Sequence, residues 1–197
     1  MPHKIYTTKG FIIGSHDVGE GHKMVSVFTD ELGLIKAHAK SVRRLESKLR
    51  PHLQDFSLVE ISFVRGRELW RVTNSETLES YSSVLRCPEA RVLTARFFSL
   101  ISRLVQGEEQ NKELFDVIFG AESYLKSSVP LDRPRAALVE VVTVLRILHA
   151  LGYIRADNQL ASFVNSNETN DEILDKAAPI RLAAIMAINQ SLSESHL

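Results

Sequence analysis

Cysteine, tryptophan, net charge and long apolar runs are all scarce in this chain. Of 197 residues, one is cysteine, Cys87, and one is tryptophan, Trp70. A single thiol excludes an internal disulfide and any zinc site built from clustered cysteines, and it fits a reducing compartment. No apolar run approaches the roughly 18 residues of a membrane span. The opening MPHKIYTTKG lacks the apolar core of a secretion signal. The chain is therefore read as cytoplasmic. Gly14, Gly19 and Gly21 are not a phosphate loop, because no Gly-Lys-Ser/Thr accompanies them. Gly-x-Ser-x-Gly and a Cys-His pair placed for nucleophilic attack are also missing, which removes the common covalent hydrolases.

What is present is ordinary in amount and uneven in placement. The apolar fraction is 44% and the charged fraction 24%, enough for a packed core. Lys plus Arg equals Asp plus Glu at 24 each. Yet Lys36 to Arg50 (KAHAKSVRRLESKLR) carries six cations, Lys36, Lys40, Arg43, Arg44, Lys48 and Arg50, against the single acid Glu46. A neutral protein that gathers its positive charge in one segment presents a site for a polyanion. The first part alternates: Lys36, His38 and Lys40 fall on one face of a strand, and Ile35, Ala37 and Ala39 on the other. The second part, Ser41 to Pro51, loses the alternation and reads as a basic loop or one helical turn, limited by Pro51.

The pattern before residue 76 is that of short strands. Ile5 to Thr8 and Phe11 to His16 flank Lys9-Gly10, and Asp17 to Gly21 is a hairpin turn. Lys23 to Thr29, the basic strand, Leu53 to Val64 and Glu68 to Thr73 follow. Five antiparallel strands with an irregular insert after the third are the inventory of an OB-fold barrel, although another small barrel would satisfy it. From Glu76 the period becomes helical. Leu93, Phe97, Leu100, Ile101 and Leu104 make one stripe, and Leu114, Phe115, Ile118, Phe119 and Leu125 a second. Asp132 caps a helix with Pro134 in its first turn, running from Arg135 to Leu151 as the buried centre of a bundle and ending at Gly152. Short helices over 172–178 and 179–192 close the chain before a frayed SESHL tail. The fold class is thus α+β: a barrel over 1–76 and an all-α domain over 77–197.

Three local features admit two readings each. His16, Asp17, Glu20 and His22 flank one turn and resemble metal ligands, but turns are polar in any case, and a polar hairpin tip is preferred. Trp70 either offers a stacking platform to a base or fills the barrel core, the latter preferred. Cys87, before Pro88, reads as structural.

Taken together, these residues resemble the RecO family of bacterial recombination mediators. The resemblance runs through Asp17-x-Gly19-Glu20, Phe28-Thr29, Gly33, Ala39-Lys40-x-x-Arg43-Arg44 with Ser47, Leu53 to Phe56, and Arg65-Gly66-Arg67-x-Leu69. It resumes at Leu145 to Tyr153 (LRILHALGY). It implies a non-enzymatic protein that binds single- and double-stranded DNA and anneals strands coated by single-stranded-DNA-binding protein. It also implies help in loading the recombinase with a RecR-like partner. The DNA-binding residues would be Lys36, His38, Lys40, Arg43, Arg44, Lys48 and Arg50, with Lys23, Arg65, Arg67 and Arg71 in a second rank. Two departures stand out. Ser41 occupies a position where the family usually has glycine, so the backbone is expected to turn differently there. The four-cysteine zinc module of many members is not matched, because residues 156–170 contain no cysteine; no metal or other cofactor is implied. Two other functions compete: an adaptor whose basic patch docks an acidic partner segment, and a metal-dependent nuclease using Asp17, Glu20 and His22.

Overall fold

The computed structural model describes residues 4–155 and 159–194. They form two compact units, one running to Ser82 and taking in Phe98–Asn111, the other comprising Ser83–Phe97 and the chain from Lys112 onward.

Five strands, β1 (Ile5–Val18), β2 (His22–Thr29), β3 (Gly33–Ala39), β4 (Leu58–Arg65) and β5 (Trp70–Glu79), close into a barrel in the order β1-β2-β3-β5-β4. This is an OB-like barrel. The pairings are antiparallel except β3 with β5, which is parallel at Ala37 with Trp70 and His38 with Arg71. The all-antiparallel expectation fails at this seam. The long loop after β3 and the hairpin between β4 and β5 leave β3 and β5 running the same way when the barrel closes. Ile12, Val25, Val27, Ile35, Ala37, Ala39, Val59, Ile61 and Phe63 fill the interior at 0% exposure, so alternate residues of each strand are spent on one core.

The strand boundaries differ from the pattern in four places. Lys9-Gly10 is not a turn: β1 passes through it, pairing Gly10 with Thr29 on one side and Val59 on the other. Glycine is there because of crowding, since a Cβ would come within 2.6 Å of Val27 Cγ1. Residues 53–57 are not strand either. Phe56 sits at φ +65, a region foreign to strands, and its ring stacks on Phe98 at 5.6 Å. The fifth strand begins at Trp70 and reaches Glu79, pairing with β4 as far as Leu58, so helical structure starts at Ser82 and not at Glu76. Its second half, Thr73 to Glu79, exposes Asn74 and Glu76 and lacks the apolar alternation that would announce it.

After the strands the chain is helical, and the helix Pro88–Leu104 is divided between the two units at Phe98. Helices α1 (Ser82–Arg86) and α2 (Pro88–Leu104) are followed by α3 (Lys112–Ser127), α4 (Arg133–Ala150), α5 (Ala161–Val164), α6 (Asp171–Ala177) and, after a 3₁₀ turn, α7 (Arg181–Glu194). The Asp132 carboxylate accepts from Arg135 N–H at 2.7 Å, so α4 starts at Arg133, one turn of cap earlier than its apolar face, and it gives way to Gly152 at φ +79. Helix α4 packs against α3, α5, α6 and α7, as a central helix must. Phe119 departs from the stripe assigned to it: it is exposed, on the outer side of α3. Arg146 is buried, donating from Nε to Phe163 O at 2.6 Å and from Nη1 to Thr169 Oγ1 at 3.2 Å. Burial holds its basicity down to about 10. Helix α7 carries the chain through Glu194, so the SESHL tail is helical at its start; residues 195–197 lie outside the described residues.

Candidate nucleic-acid interface

Strand β3 positions the basic row. Ile35, Ala37 and Ala39 point into the core, which turns Lys36 fully outward and leaves His38 half-buried on the same face; Lys40 follows, exposed. The parallel seam then sets Arg71 beside His38. The result is a groove of about 720 Å³ lined by His38, Lys40, Arg65, Arg67 and Arg71, with Gly66, Leu69 and Val64 between the cations and Glu68 as the one acid. Residues separated by some thirty positions in sequence thus share one surface, because β3 and β5 are hydrogen-bonded neighbours.

A second hollow, of about 440 Å³, gathers Lys23, Arg43 and Arg50 with Asp17, Val42, Leu53 and Gln54. Lys36, Arg44 and Lys48 are exposed and line neither depression. Two of the cations are partly neutralised within the chain. Arg43 Nη1 lies 3.3 Å from Asp17 and donates to Gly19 O. Arg65 lies 3.6 Å from Glu108 and over the Trp70 ring at 5.4 Å. Lys36, Lys40, Arg44, Lys48, Arg50, Arg67 and Arg71 make no salt bridge among the described residues. Seven cations without a salt bridge among the described residues raise the potential around a small barrel and favour a polyanion.

The loop between β3 and β4 is ordered by its own backbone. Arg43 N–H donates to Gly21 O, Arg44 N–H to Ser41 O, Ser47 N–H to Arg44 O and Arg50 N–H to Ser47 O, all within 3.2 Å. Val42 and Leu53 are buried in the barrel core and Leu49 packs against it. At the loop's root, Ser41 takes φ +54, the left-handed region that glycine enters freely. A serine here therefore still makes a glycine-type turn. His22 makes that possible: its Nδ1 accepts from Ser41 N–H at 2.9 Å, while its ring meets that of His38 at 5.1 Å. His38 is held below the ordinary imidazole range, first by burial and then by the charges of His22, Lys40 and Arg71.

The residues flanking the first hairpin are already engaged in ways that differ from a metal site. Asp17 pairs with Arg43 and His22 holds Ser41. Among the described residues, no three His, Cys, Asp or Glu side chains come together as metal ligands. Trp70 lies in the barrel core at 6% exposure, edge-on to Tyr6 and Phe63, with Nε1 donating to Glu108 Oε1 at 2.7 Å. Glu108 was not legible as a partner of the barrel. The only signal was the acidic pair after Gly107, in a segment that packs with the strands although it follows α2.

Among the described residues, no helix is long and apolar enough to cross a membrane. Residues 1–81 match the family model for the Recombination protein O N terminal domain. Curated relatives extend the likeness into the helices. The chain is 31% identical over 154 residues to the DNA repair protein RecO of Roseiflexus sp. (strain RS-1), covering 78% of this chain and 52% of that one. It is 28% identical over 152 residues to that of Dehalococcoides mccartyi (strain ATCC BAA-2266 / KCTC 15142 / 195), covering 77% and 58%. It is 28% identical over 149 residues to that of Clostridium novyi (strain NT), covering 76% and 57%. The chain spans about half the length of the curated relatives it matches. Over that span the barrel carries the match to the Recombination protein O N terminal domain, and the similarity to RecO proteins runs on into the helical unit.

Proposed function

We propose that this chain is a non-enzymatic DNA-binding mediator of repair and recombination. Its barrel holds single- and double-stranded DNA by the phosphates, promotes annealing of complementary strands and helps load the recombinase. Its partners would be a RecR-like protein and single-stranded-DNA-binding protein. The observation that carries the reading is the groove lined by His38, Lys40, Arg65, Arg67 and Arg71, continued by the ordered basic loop. Phosphate contacts carry no sequence information, so binding is non-specific and salt-sensitive. Annealing needs no catalytic group. A cationic surface that holds two strands lowers their repulsion and raises their local concentration.

The test is fluorescence anisotropy of a labelled single-stranded oligonucleotide at several salt concentrations, comparing the natural protein with a Lys40/Arg43/Arg44 triple alanine variant. With roughly six phosphate contacts the log-log salt slope is about −4 on a single strand, and the variant's slope is shallower by about two to three units. Equal, weak binding by both proteins would overturn the reading. One observation favours the adaptor alternative: Arg43 and Arg65 already pair with carboxylates, those of Asp17 and Glu108. Under that alternative an acidic peptide displaces nothing from DNA, yet binds the natural protein and not the triple variant.

A further inference from the structure

Single-strand binders usually grip bases with exposed aromatic rings. This barrel has none to offer. Trp70 is buried and edge-packed, Tyr6 is half-buried against it, and Phe56 is stacked on Phe98. Among the described residues of the barrel unit, no Phe, Tyr or Trp is exposed. Two leucines are. Leu45 is 85% exposed, more than any other large apolar side chain described, and Leu69 is 49% exposed.

Their placement is not that of scattered surface residues. The basic loop holds four large aliphatic residues, Val42, Leu45, Leu49 and Leu53. Three serve the barrel core, and only Leu45 is turned to solvent. The loop does not present it loosely. Hydrogen bonds fix the backbone on both sides, and the far end is tied down where His52 Nδ1 accepts from Thr77 N–H at 3.2 Å. Arg43 and Arg44 precede Leu45, and Glu46 and then Lys48 follow, so an apolar tip stands in a segment with three cations and one acid. Leu69 lies in the wall of the groove between Arg67 and Arg71. By the register of the parallel seam, Leu69 sits off the Lys36 end of β3, while the loop bearing Leu45 leaves from the Lys40 end. The two leucines therefore bracket the cationic row.

We propose that Leu45, with Leu69, makes the base contacts of this surface: each aliphatic tip inserts against the faces of adjacent bases in a single strand whose phosphates follow the cationic row. The inference rests on the DNA-binding reading and deepens it. Aliphatic side chains flanked by arginines are a known means of parting a base step, because burying the side chain offsets part of the lost stacking. Parted bases would be held apart from their neighbours and open to pairing, which suits an annealing surface.

The experiment uses the full chain and an oligonucleotide carrying 2-aminopurine, whose fluorescence rises when it is unstacked. The natural protein raises that fluorescence on binding. Leu45→Ser and Leu69→Ser bind with an unchanged salt slope, because no phosphate contact is lost, but each binds roughly fivefold more weakly and Leu45→Ser loses most of the fluorescence rise. Leu45→Phe, a larger stacking surface, restores or exceeds it. Both sites are exposed, so the variants keep the natural melting temperature, and a fall in it disqualifies neither the anisotropy nor the Phe comparison. If Leu45→Ser matches the natural protein in affinity and fluorescence, the base-contact role is overturned while DNA binding stands. If the natural protein shows no salt-dependent binding at all, both fall together.

Discussion

The Nδ1 atom of His22 accepts a hydrogen bond from the backbone N–H of Ser41 at 2.9 Å, across nineteen positions of sequence. Ser41 is the hinge at which β3 becomes the basic loop, and its φ of +54 is costly for any residue with a side chain, by about 1–2 kcal/mol. The imidazole holds the turn that the residue itself resists. Ser41→Gly removes the steric cost at the expense of a more mobile unfolded chain, so a gain of about 0.5–1 kcal/mol remains, or about 1–4 °C in melting temperature. Ser41→Val, branched at Cβ, moves the other way. Scanning calorimetry of the three proteins checks the order; a Gly variant that melts below the natural protein would show that the serine is not strained.

If the groove holds DNA as proposed, His38 should make that binding pH-dependent in a definite direction. Burial, His22, Lys40 and Arg71 hold its pKa below the ordinary 6.5, so the free protein keeps it neutral at pH 7. Phosphates brought into the groove favour the imidazolium, so binding takes up a proton and strengthens as pH falls. Folding shows the opposite sign. The unfolded chain takes up the proton first, so this group's contribution is intact above 6.5 and declines as pH falls through that value towards the depressed one. The informative quantity is the difference from His38→Gln. The natural protein gains on the order of three- to tenfold in affinity between pH 7.5 and 5.5 that the variant does not. Parallel pH profiles in an anisotropy titration would place His38 outside the interface.

Trp70 is part of the barrel core, so its removal is expected to cost stability and not DNA affinity. Trp70→Phe keeps the edge contacts with Tyr6 and Phe63 in part but loses the 2.7 Å hydrogen bond to Glu108, in a nearly buried position. The loss of volume and of that bond costs about 2 kcal/mol. DNA affinity stays within about twofold, since removing a stacking residue would cost more than that. Acrylamide quenching of the sole tryptophan gives a second reading: it is slow in the free protein and unchanged by DNA. A tenfold loss of affinity in the Phe variant would return Trp70 to the binding surface.

How far these features could be read in advance depends on whether the signal was local. Strands β2 and β3 were legible because each is half-buried and alternates, and Asp132 and Gly152 marked the limits of α4 by their own capping chemistry. Gly10 misled because its reason is a neighbour in space, Val27, and a sequence shows only that a glycine is present. Residues 53–57 looked like strand by composition, but the left-handed Phe56 breaks it to reach Phe98, forty-two positions away. The second half of β5 was hidden because its partner β4 needs its backbone and not its side chains. The charge run over 36–50 was visible at once. That its His38 and Lys40 would join Arg65, Arg67 and Arg71, and that Glu108 would come to lie against Arg65, required the topology.

The helical unit carries a buried carboxyl whose effect on stability runs against that of ordinary surface acids. Glu122 on α3 is 1% exposed; its Oε2 accepts from Thr94 Oγ1 at 2.9 Å, and its Oε1 has no hydrogen-bond partner among the described residues. Burial pushes its pKa up to about 8 against the ordinary 4.5, with the Thr94 hydroxyl opposing the rise. The folded protein therefore keeps the proton where the unfolded chain has lost it. The sign follows: this group's stabilisation is complete below about pH 4.5, is lost progressively as pH rises, and is gone above about 8. The loss across that window is on the order of 4–5 kcal/mol. Glu122→Gln keeps the shape and the acceptor for Thr94 but cannot ionise, so it should be more stable than the natural protein at pH 8 and nearly equal to it at pH 4.5. Glu122→Ala would confound the comparison by leaving a cavity. Denaturant melts of the natural and Gln proteins at pH 4.5, 6, 7 and 8 read the difference directly, and curves that stay parallel across that range would mean the carboxyl is already solvated in the fold.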